Sequence, residues 1–527
     1  MEQQVVIAGG GPVGLWLAAE LRRGGVSVTV VEERTDVDQR SKALTIHPRT
    51  IEIFASREVH KPFLAEGLRI PAGHFAMLDH RLDFKELDTP FPYTLALPQA
   101  RTEELLEEYA LALGATIVRG HRVSGFAEDT GSVTVQVQGT DGPYELRAAY
   151  LVGCDGTRST VRTAAGIDFP GTPSTVLGWL GDVVLDRPPR PGFGVFGLRG
   201  ALMVAPLPGG LHRLVGISPD SLTTESPQDL TLDELRAKAV AITGEDYGMR
   251  DPVWLSRFGN ATRLAAEYRR GRVLLAGDAA HQHFPTGGVG MNVGIQDAHN
   301  LGWKLAATLD GRAPDGLLDS YHSERHPVGA QLMEHSRAQT ALMTGFTPEG
   351  IDLRSFLSGM IATQPDFGRA LSERLTALAV AYPAPETTAH PLTGGRAPDL
   401  AFTDSGSGLH GRVRADGYLL LDLTGGAPVS VSVSVPVPVS VPGQDVRPEG
   451  VRPEGVRPEG VLADRARPGL TVHTAALDRP PAAWAAVRAA LIRPDGHVAW
   501  VGTDPDDTAL AAAADRALAL VHGPAAG

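Results

Sequence analysis

The first residues with chemical potential are three glycines near the start of the chain, Gly9, Gly11 and Gly14, in the stretch VVIAGGGPVGLWLAAEL. They form the pattern G-x-G-x-x-G between a strand-like apolar run and a helix-like one. Gly9 would permit a tight turn, Gly11 would let a pyrophosphate approach the backbone, and Gly14 would let the helix pack closely on the strand. Because the N-terminus of a helix offers free N–H groups to phosphate, the stretch predicts a nucleotide-binding turn.

A second residue refines the identity of that nucleotide. Glu32 stands 21 residues after Gly11 and ends the β-rich run VSVTVVEE. A carboxylate at this position accepts hydrogen bonds from both ribose hydroxyls and repels a 2′-phosphate. The bound adenosine is therefore predicted to be unphosphorylated, which favours NAD or FAD over NADP.

A third stretch, GRVLLAGDAAHQHFPTGGVGMNVGIQDAHNLGWKLA over 271–306, carries an acid and a second glycine-rich turn. Asp278 ends a buried-strand pattern, and a carboxylate at the C-terminal end of a strand usually faces a ligand. Pro285 and the glycines at 287, 288 and 290 then free the backbone before a helix predicted to begin near Met291 or Asn292. A second anion-binding helix start, together with a strand-end carboxylate, fits a long and bent cofactor.

The surrounding patterns predict the elements that position these residues. The apolar runs QVVIA (4–8) and VSVTVVEE, which ends in Glu32, flank a helix that starts at Pro12, which is the β-turn-α-β unit of a parallel sheet. From about 173 to 261, short β-like runs separated by Pro and Gly indicate an antiparallel sheet that interrupts this domain. After about 390, a tail domain contains a low-complexity insert with VRPEG three times in tandem, which is interpreted as a disordered or polyproline-like loop.

Composition and charge exclude several classes of function. The formal net charge of −13, with acidic residues spread along the chain, disfavours nucleic acid and anionic membranes as partners. Cys154 is the only cysteine, which excludes disulfides within the chain and Cys-based metal sites, and suits a reducing cytoplasm. No basic leader and no run of about 20 apolar residues is present, so neither a signal peptide nor a membrane span is expected. The pair His281 and His283 has no nearby acidic or cysteine cluster, so no metal is expected, and His281 is interpreted as a residue that orients backbone.

These stretches resemble the signatures of the FAD-dependent aromatic hydroxylases, the single-component flavoprotein monooxygenases related to para-hydroxybenzoate hydroxylase. The signatures are G-x-G-x-x-G, CDGTRSTVR over 154–162, and GDAAH…PTGG-x-GMN-x-G-x-x-DA-x-NL-x-WKLA. Within that family, the chain is most similar to hydroxylases that tailor polycyclic aromatic polyketides. Those share HPLTGGRAPDL (390–400) and RPDGHVAWVG (493–502) in a thioredoxin-like tail domain. Without any C-x-x-C, this tail cannot perform dithiol chemistry, so a packing or oligomer role is expected.

The resemblance implies an α/β fold in three parts. A Rossmann-like FAD-binding domain with its following helices would comprise 1–75, 98–172 and 262–388. An antiparallel-sheet substrate domain would comprise 76–97 and 173–261 and would interrupt it. The thioredoxin-like C-terminal domain would comprise 389–527, with a low-complexity loop over 427–467.

The resemblance also assigns roles to residues that would hold FAD. The glycines and Glu32 would bind the ADP half, Arg40 would lie near the ribose and pyrophosphate, and Asp278 would hold a ribityl hydroxyl. Asp155 would serve both FAD positioning and transient docking of NADPH. Arg101 is either a contact to the ribityl and phosphate region or an exposed residue at a helix start. The full set implied for cofactor binding is Gly9, Gly11, Gly14, Glu32, Arg40, Lys42, Gln99, Arg101, Asp155, Asp278, Gly290, Met291 and Asn292.

A smaller set is implied for the reacting end of the site. Catalytic positions beside the flavin ring would be Pro285, Gly288, Asn292 and Arg49. Substrate contacts would be His47, Phe84, Trp179, Arg199 and Met203. Val289 stands where this family usually has Gln, so the ring would be bordered there by backbone donors without that side-chain hydrogen bond. No catalytic base for deprotonating a phenol is identified.

The implied activity is hydroxylation of a polycyclic aromatic polyketide. NADPH, or NADH, would reduce FAD, and reduced flavin with O₂ would form a C4a-hydroperoxide that transfers its distal oxygen. Because no dedicated second Rossmann domain is expected, the nicotinamide nucleotide would dock only transiently. The same scaffold also permits Baeyer–Villiger oxygen insertion or oxidative inactivation of an aromatic antibiotic. Other classes are a flavin reductase, a dehydrogenase, a halogenase (whose W-x-W-x-I-P signature is missing) or a protein that merely binds FAD. The expected partners are an aromatic polyketide-like small molecule and molecular oxygen, and the expected oligomeric state is monomer or homodimer.

Overall fold

The structure is a computed structural model that describes residues 3–223, 229–384, 389–404, 406–425, 429–431 and 460–521. The predicted low-complexity loop over 427–467 falls mostly outside these residues, as do all three VRPEG repeats. Its described ends form an edge strand, Val429–Val431, and a short 3₁₀ turn, Ala463–Arg465, which follows the fully buried Leu462.

Groups of one or more strands alternate with one or two helices in the first part of the described chain, and four helices follow one another between residues 290 and 375. The described α-helices are α1 Pro12–Arg23, α2 Pro48–Ser56, α3 His60–Glu66, α4 Gln99–Ala112, α5 Thr160–Ala164, α6 Leu232–Thr243, α7 Gly290–Leu309, α8 Ser320–Met343, α9 Pro348–Thr363, α10 Pro365–Leu375 and α11 Asp507–Val521. The described strands are β1 Gln3–Ala8, β2 Val28–Glu32, β3 Thr45–Ile46, β4 Leu68–Ile70, β5 Ala72–Gly73, β6 Leu82–Asp83, β7 Thr94–Ala96, β8 Thr116–Arg119, β9 Arg122–Glu128, β10 Val133–Gly139, β11 Gly142–Gly153, β12 Gly171–Thr172, β13 Leu177–Leu185, β14 Gly194–Gly197, β15 Gly200–Pro206, β16 Leu211–Ile217, β17 Met249–Gly259, β18 Thr262–Leu264, β19 Arg269–Arg270, β20 Val273–Leu275, β21 His281–Gln282, β22 Tyr418–Asp422, β23 Val429–Val431, β24 Leu470–Thr474, β25 Ala489–Ile492 and β26 Val498–Gly502.

The first sheet is the parallel sheet that the N-terminal pattern predicts. Its order is β19-β20-β11-β1-β2-β8, and β8, β2, β1, β11 and β20 run parallel. Buried apolar side chains such as Val6 and Leu151 lie in register across adjacent strands. Strands covered on both faces read as continuous apolar runs, which is the pattern of VVIA and VTVV. The predicted Rossmann-like α/β fold is confirmed.

The second sheet is antiparallel and interrupts the first domain, as predicted. Its order is β14-β15-β16-β13-β17, and α6 packs on one face through Leu235. The other face meets the first domain, where Arg213 makes two 2.7 Å hydrogen bonds to Asp182 and also donates to the carbonyl of Ser41. This contact joins the second sheet to the segment that precedes β3.

The third sheet forms the C-terminal domain, with order β23-β24-β22-β25-β26. The pair β22 and β24 is parallel, and the other pairs are antiparallel, which agrees with the predicted thioredoxin-like architecture. One face packs against Trp303 of α7, whose ring lies 5.7 Å from that of Tyr418. The domain is therefore packed directly on a helix of the first domain.

In the part of the chain that the structure describes, no helix combines the length and the apolarity needed to cross a membrane.

Candidate functional site

The turn after β1 shows three different requirements for its glycines. Gly9 has a φ of +102°, and a Cβ atom there would lie 2.4 Å from the carbonyl oxygen of Cys154. A Cβ atom on Gly14 would lie 2.0 Å from the carbonyl oxygen of Gly9. On Gly11, by contrast, a Cβ atom would meet no heavy atom within 4 Å. The outer glycines are thus required by contacts within the protein, whereas the middle one leaves the backbone open to a ligand.

Glu32 is fixed at the tip of β2 beside this turn. Its Oε2 accepts a 2.6 Å hydrogen bond from the backbone N–H of Gly10, and its Oε1 accepts one of 3.0 Å from Arg34. The residue is buried, so the carboxylate holds one position. A carboxylate oxygen accepts more than one hydrogen bond, which leaves capacity for ribose hydroxyls.

Asp155 follows β11, the neighbour of β1 in the sheet. Its Oδ1 accepts a 2.5 Å hydrogen bond from the hydroxyl of Ser159, and its Oδ2 accepts one of 3.1 Å from the N–H of Val161. Burial raises the pKa of Asp155, although these hydrogen bonds oppose the rise. The Asp155 backbone also touches the Gly9 position, where a Cβ atom would lie 3.1 Å from its Cα. The carboxylate therefore organises the start of α5 directly beside the glycine turn.

Asp278 lies just beyond the tip of β20, in a 3₁₀ turn. It is exposed although both neighbours along the chain are buried, and the described residues give its carboxylate no hydrogen-bond or ion-pair partner. The preceding Gly277 would, with a Cβ atom, lie 2.9 Å from Val13 of α1, and Gly294 of α7 would lie 3.1 Å from Gly277. Asp278 thus stands where the starts of α1 and α7 meet.

A buried ionic network fixes the backbone at Gly277. Asp297 of α7 accepts 2.7 Å hydrogen bonds from Arg325 and His281, and a third of 3.2 Å from the N–H of Gly277. Burial alone would raise the pKa of Asp297, but the Arg325 guanidinium and His281 hold it below its ordinary value. His281 therefore shares the carboxylate that anchors this backbone, in agreement with its interpretation from the sequence. Asp297 was not singled out, because nothing in the local sequence indicates its partners.

The 285–292 loop contains a second 3₁₀ turn, Thr286–Gly288, and runs into α7, which begins at Gly290. Gly287 and Gly288 have φ values of +65° and +66°, and a Cβ atom on Gly288 would lie 2.2 Å from Oγ1 of Thr45. The buried Asn292 accepts a 2.8 Å hydrogen bond from the N–H of His47 and donates 3.0 Å bonds to the carbonyls of Thr45 and Gly288. The loop is thereby clamped against the segment between β3 and α2.

His47 strengthens that clamp with its side chain. Its Nε2 lies 3.0 Å from the carbonyl oxygen of Gly287, to which it donates when neutral with the proton on Nε2. Burial lowers the pKa of His47 to about 4, so the ring is neutral at pH 7. Phe84, the second predicted substrate contact, is fully buried in an apolar cluster that includes Val289. Both residues lie beside the 285–292 loop.

The basic residues predicted to meet phosphate have other partners or lie exposed. Arg40 is exposed and bonds Asp38 at 2.9 Å. Arg101 makes 2.7 and 2.9 Å hydrogen bonds to Glu66 and a 2.9 Å bond to Glu104. Lys42 is exposed, and Gln99 accepts a 3.1 Å bond from the N–H of Ala43. Gln99 thereby holds the segment that leads into β3, and its own N–H donates a 2.9 Å bond to the carbonyl of Ala43.

The remaining predicted substrate residues lie at different places on the antiparallel sheet. Met203 lies on the same strand face as Ala201, which faces the first domain and packs near Phe284. Trp179 is fully buried on the opposite face, where it packs with the α6 side of the sheet. Arg199 is exposed in the turn between β14 and β15. The structure therefore brings Met203 toward the 285–292 loop, but neither Trp179 nor Arg199.

Arg49, predicted to be catalytic, lies in the first turn of α2 but points away from the loop. It donates a 3.0 Å hydrogen bond to Glu52 and one of 2.8 Å to the carbonyl of Asp495 in the C-terminal domain. Its guanidinium is therefore engaged at a domain interface. Pro285, Gly288 and Asn292, the other positions in that group, are together in the loop.

An aromatic cluster that was not predicted from the sequence adjoins the 285–292 loop. Phe284, immediately before Pro285, packs 5.2 Å from Phe258 of β17, and Phe196 of β14 stacks 5.5 Å from Phe346. The other members are Val176, Ala201, Ile217, Met77 and Met343. These residues come from widely separated segments, and only Phe284 stands next to a recognisable motif. The aromatic cluster lies between the antiparallel sheet and the end of α8.

Comparisons with known proteins agree with this geometry. Residues 2–336 match the family described as FAD binding domain, and residues 390–520 match the family described as aromatic-ring hydroxylase, C-terminal. The chain is 41% identical over 520 residues to rifampicin monooxygenase of Streptomyces venezuelae, covering 95% of this chain and 96% of that protein. The solved structure of OxyS anhydrotetracycline hydroxylase from Streptomyces rimosus superposes with a TM-score of 0.84 at 38% identity, covering 99% of this chain and 100% of that one.

One relative has a different activity in its name. The chain is 40% identical over 363 residues to the dialkyldecalin synthase of Streptomyces rugosporus, covering 68% of this chain and 76% of that protein. The same fold thus occurs in proteins named for oxygenation and in one named for a synthase reaction. The reaction of this chain therefore has to be assigned by measuring whether it consumes reducing equivalents and oxygen.

Proposed function

Because this chain belongs to the FAD-dependent aromatic-ring hydroxylases, a family of flavoprotein monooxygenases, we propose that it hydroxylates a polycyclic aromatic polyketide or a related antibiotic at the expense of NADPH and O₂. One observation carries the proposal. The glycine turn, Glu32 and Asp278 follow β1, β2 and β20 at the same edge of one parallel sheet, and α7, which begins in the 285–292 loop, packs at Gly277 beside Asp278. The aromatic cluster includes Phe284, directly before that loop.

The residues present fit the ADP half of FAD. Gly11 leaves room for a pyrophosphate against the backbone, and the first N–H groups of α1 have no partner within the helix. Glu32 would accept the adenosine ribose hydroxyls from its fixed position at the tip of β2. Asp278 would accept a ribityl hydroxyl, because it is an exposed carboxylate at the junction of α1 and α7 that accepts no hydrogen bond from the described residues.

The flavin ring would lie against the 285–292 loop. Backbone N–H groups at the start of α7 favour negative charge, so they would stabilise the reduced ring near N1 and the C2 carbonyl. The neutral His47 and the amide of Asn292 would hold those groups in place without adding a charge of their own. When bound, FAD would accept a hydride from the nicotinamide nucleotide and activate molecular oxygen.

The substrate would bind beside the aromatic cluster. Phe258 and Met77, both partly exposed, offer apolar surface beside the buried Phe284, and aromatic walls suit a flat ring system. Such surface also excludes water from the reacting atoms, which protects the activated oxygen. Met203 lies on the same sheet face and would contribute to that wall.

NADPH would dock from solution without a site of its own. The pattern G-x-G-x-x-G occurs at 9–14, 192–197 and 406–411, but only the first stands between a parallel strand and a helix. The second runs into the antiparallel strand Gly194–Gly197 and the third into the 3₁₀ turn Leu409–Gly411, so neither forms a Rossmann-type turn for the nicotinamide nucleotide. Asp155 and the exposed Arg158 lie beside the first turn and are the residues proposed for this transient contact.

The test is product analysis with defined aromatic substrates. Purified protein with FAD and NADPH is incubated with anhydrotetracycline or rifampicin under ¹⁸O₂, and products are examined by mass spectrometry. The proposal expects a product that contains one ¹⁸O atom, with NADPH consumption that rises when the substrate is present. Turnover without NADPH and without oxygen incorporation would contradict it.

A second outcome within the same chemistry is oxygen insertion beside a ketone. Hydroxylation and Baeyer–Villiger insertion both add one oxygen atom, so mass alone does not separate them. A lactone opens in mild alkali with the addition of water, whereas a phenol does not. The alkaline step therefore distinguishes the two reactions on one sample.

A further inference from the structure

The C-terminal domain contributes a buried turn to the core of the first domain. The turn, Arg493 to His497, joins β25 to β26, and we refer to it as the 493–497 turn. It is closed by a 2.8 Å hydrogen bond from the N–H of Arg493 to the carbonyl of His497, and Gly496 has a φ of +78°. Hairpin turns are usually exposed, yet Asp495 and His497 are only 2% and 4% exposed.

The turn binds both ends of α2 through its backbone. Arg49, in the first turn of α2, donates a 2.8 Å hydrogen bond to the carbonyl of Asp495. Arg57, which follows the last turn of α2, donates a 2.8 Å bond to the carbonyl of Pro494 and pairs with Glu20 of α1 at 2.8 Å. The position of α2 is thus set by the C-terminal domain at two points.

The same turn binds α7 and α8 through its side chains. Oδ2 of Asp495 accepts 3.2 Å hydrogen bonds from Asn300 and from the indole N–H of Trp303, both on α7. Arg493 makes two 2.8 Å bonds to Glu324 of α8 and one of 2.6 Å to Asp495. Burial alone would raise the pKa of Asp495, but Arg493, His497 and Lys304 hold it well below its ordinary value, so this carboxylate is ionised.

Two of the three helices bound by the turn, α2 and α7, begin at or beside the loop proposed to border the flavin. His47 precedes α2, and Asn292 lies in the first turn of α7, where the two residues are hydrogen-bonded at 2.8 Å. Asn300 is eight residues further along α7, a distance of about 12 Å along the helix axis. The junction holds a cavity of only about 10 Å³, so its side chains are closely packed.

We infer that the 493–497 turn is a positioning device for the 285–292 loop, and that Asp495 is its central positioning residue. By fixing the angle between α2 and α7, the turn would hold the N–H groups at the start of α7 against the pyrimidine end of the flavin. This inference rests on the proposed function. It gives the C-terminal domain, which lacks any C-x-x-C, a role in tuning the cofactor.

The test is Asp495→Asn in the full-length, FAD-loaded protein. Asn keeps the shape but removes the charge that orients Asn300, Trp303 and Arg493. We expect FAD release, followed by the rise of free-flavin fluorescence, to accelerate at least tenfold, and the midpoint potential of the bound flavin to become more negative. The matched control is Asp515→Asn, which removes an exposed carboxylate paired with Arg465 in the same domain. It should leave both values unchanged.

A second variant protects the test against misfolding. Trp303→Phe keeps an aromatic ring and deletes only the N–H that Asp495 accepts, and circular dichroism checks that each variant remains folded. A shift of the potential in the same direction, smaller than that of Asp495→Asn, supports the inference. Wild-type release rate and potential in either folded variant would overturn it. Failure of the wild-type protein to retain FAD would instead overturn the proposed function.

Discussion

Removal of the Asp278 carboxylate is the sharpest test of the cofactor site. Asp278 is exposed, has no hydrogen-bond or ion-pair partner among the described residues, and stands between the starts of α1 and α7. In Asp278→Ala, the folded protein therefore loses no hydrogen bond or ion pair among the described residues, but it does lose the electrostatic attraction between this carboxylate and His283. The other interaction removed is the one proposed with a ribityl hydroxyl of FAD.

The expected magnitude follows from the type of hydrogen bond. A hydrogen bond to a charged group contributes about 1.5 to 3 kcal/mol, and each 1.4 kcal/mol is about tenfold in an equilibrium constant. The dissociation constant of FAD should therefore rise by roughly 10-fold to 150-fold. Because exposed substitutions without partners usually change stability by less than about 0.5 kcal/mol, the melting temperature of the FAD-free protein should barely change.

The assay is titration of FAD-free protein with FAD, followed by quenching of flavin fluorescence, with thermal unfolding measured in parallel. The control is Asp141→Ala, which removes an exposed carboxylate from the turn between β10 and β11. Wild-type FAD affinity in Asp278→Ala would refute the assigned role. A large loss of stability without FAD would show that the carboxylate serves the fold.

The remaining predictions address the glycine turn, the buried network and pH. Gly11→Ala should fold normally but bind FAD more weakly by titration, because its Cβ meets nothing in the protein, whereas Gly14→Ala should unfold at lower temperature because its Cβ would lie 2.0 Å from the Gly9 carbonyl oxygen. Asp297→Asn should cost about 3 to 5 kcal/mol in urea unfolding, because it leaves Arg325 and His281 without their buried anion. The folded-state pKa of His47 is about 4 and the unfolded-state value is 6.5, so the unfolded chain binds the extra proton and stability is lost as pH falls from about 6.5 toward 4. His47→Gln should therefore reduce the stability difference between pH 7 and pH 5 by about 2 kcal/mol, and an unchanged difference would mean that His47 is not buried as neutral imidazole.

Features that depend on local backbone geometry were predictable from the sequence. The glycine turn is one example. Gly14 packs against the backbone of Gly9, and Gly9 packs against the backbone at the end of the adjacent strand, so neither position has room for a Cβ atom. Strand-end carboxylates are another, since a polar residue directly after a buried apolar run marks the edge of a parallel sheet. Glu32 and Asp278 were found in this way.

Features that depend on distant partners were not predictable. Arg49 stands near the loop in sequence, but its guanidinium meets a carbonyl 446 residues away. The alternation of side chains along β13 places Trp179 on one face of the sheet. Nothing in the sequence of the strand shows that α6 covers that face. Arg101 has the charge expected of a phosphate ligand, but it pairs with Glu66, which lies 35 residues earlier in the chain. The aromatic cluster is assembled from separated segments and has no signature along the chain.

The most direct test of the account is an anaerobic titration of the FAD-loaded protein with NADPH, followed by admission of air. The account predicts that the yellow flavin absorbance disappears with NADPH and returns with oxygen uptake, faster when an aromatic substrate is present. A protein that cannot be loaded with FAD, or whose bound flavin stays oxidised with NADPH and substrate together, would contradict it.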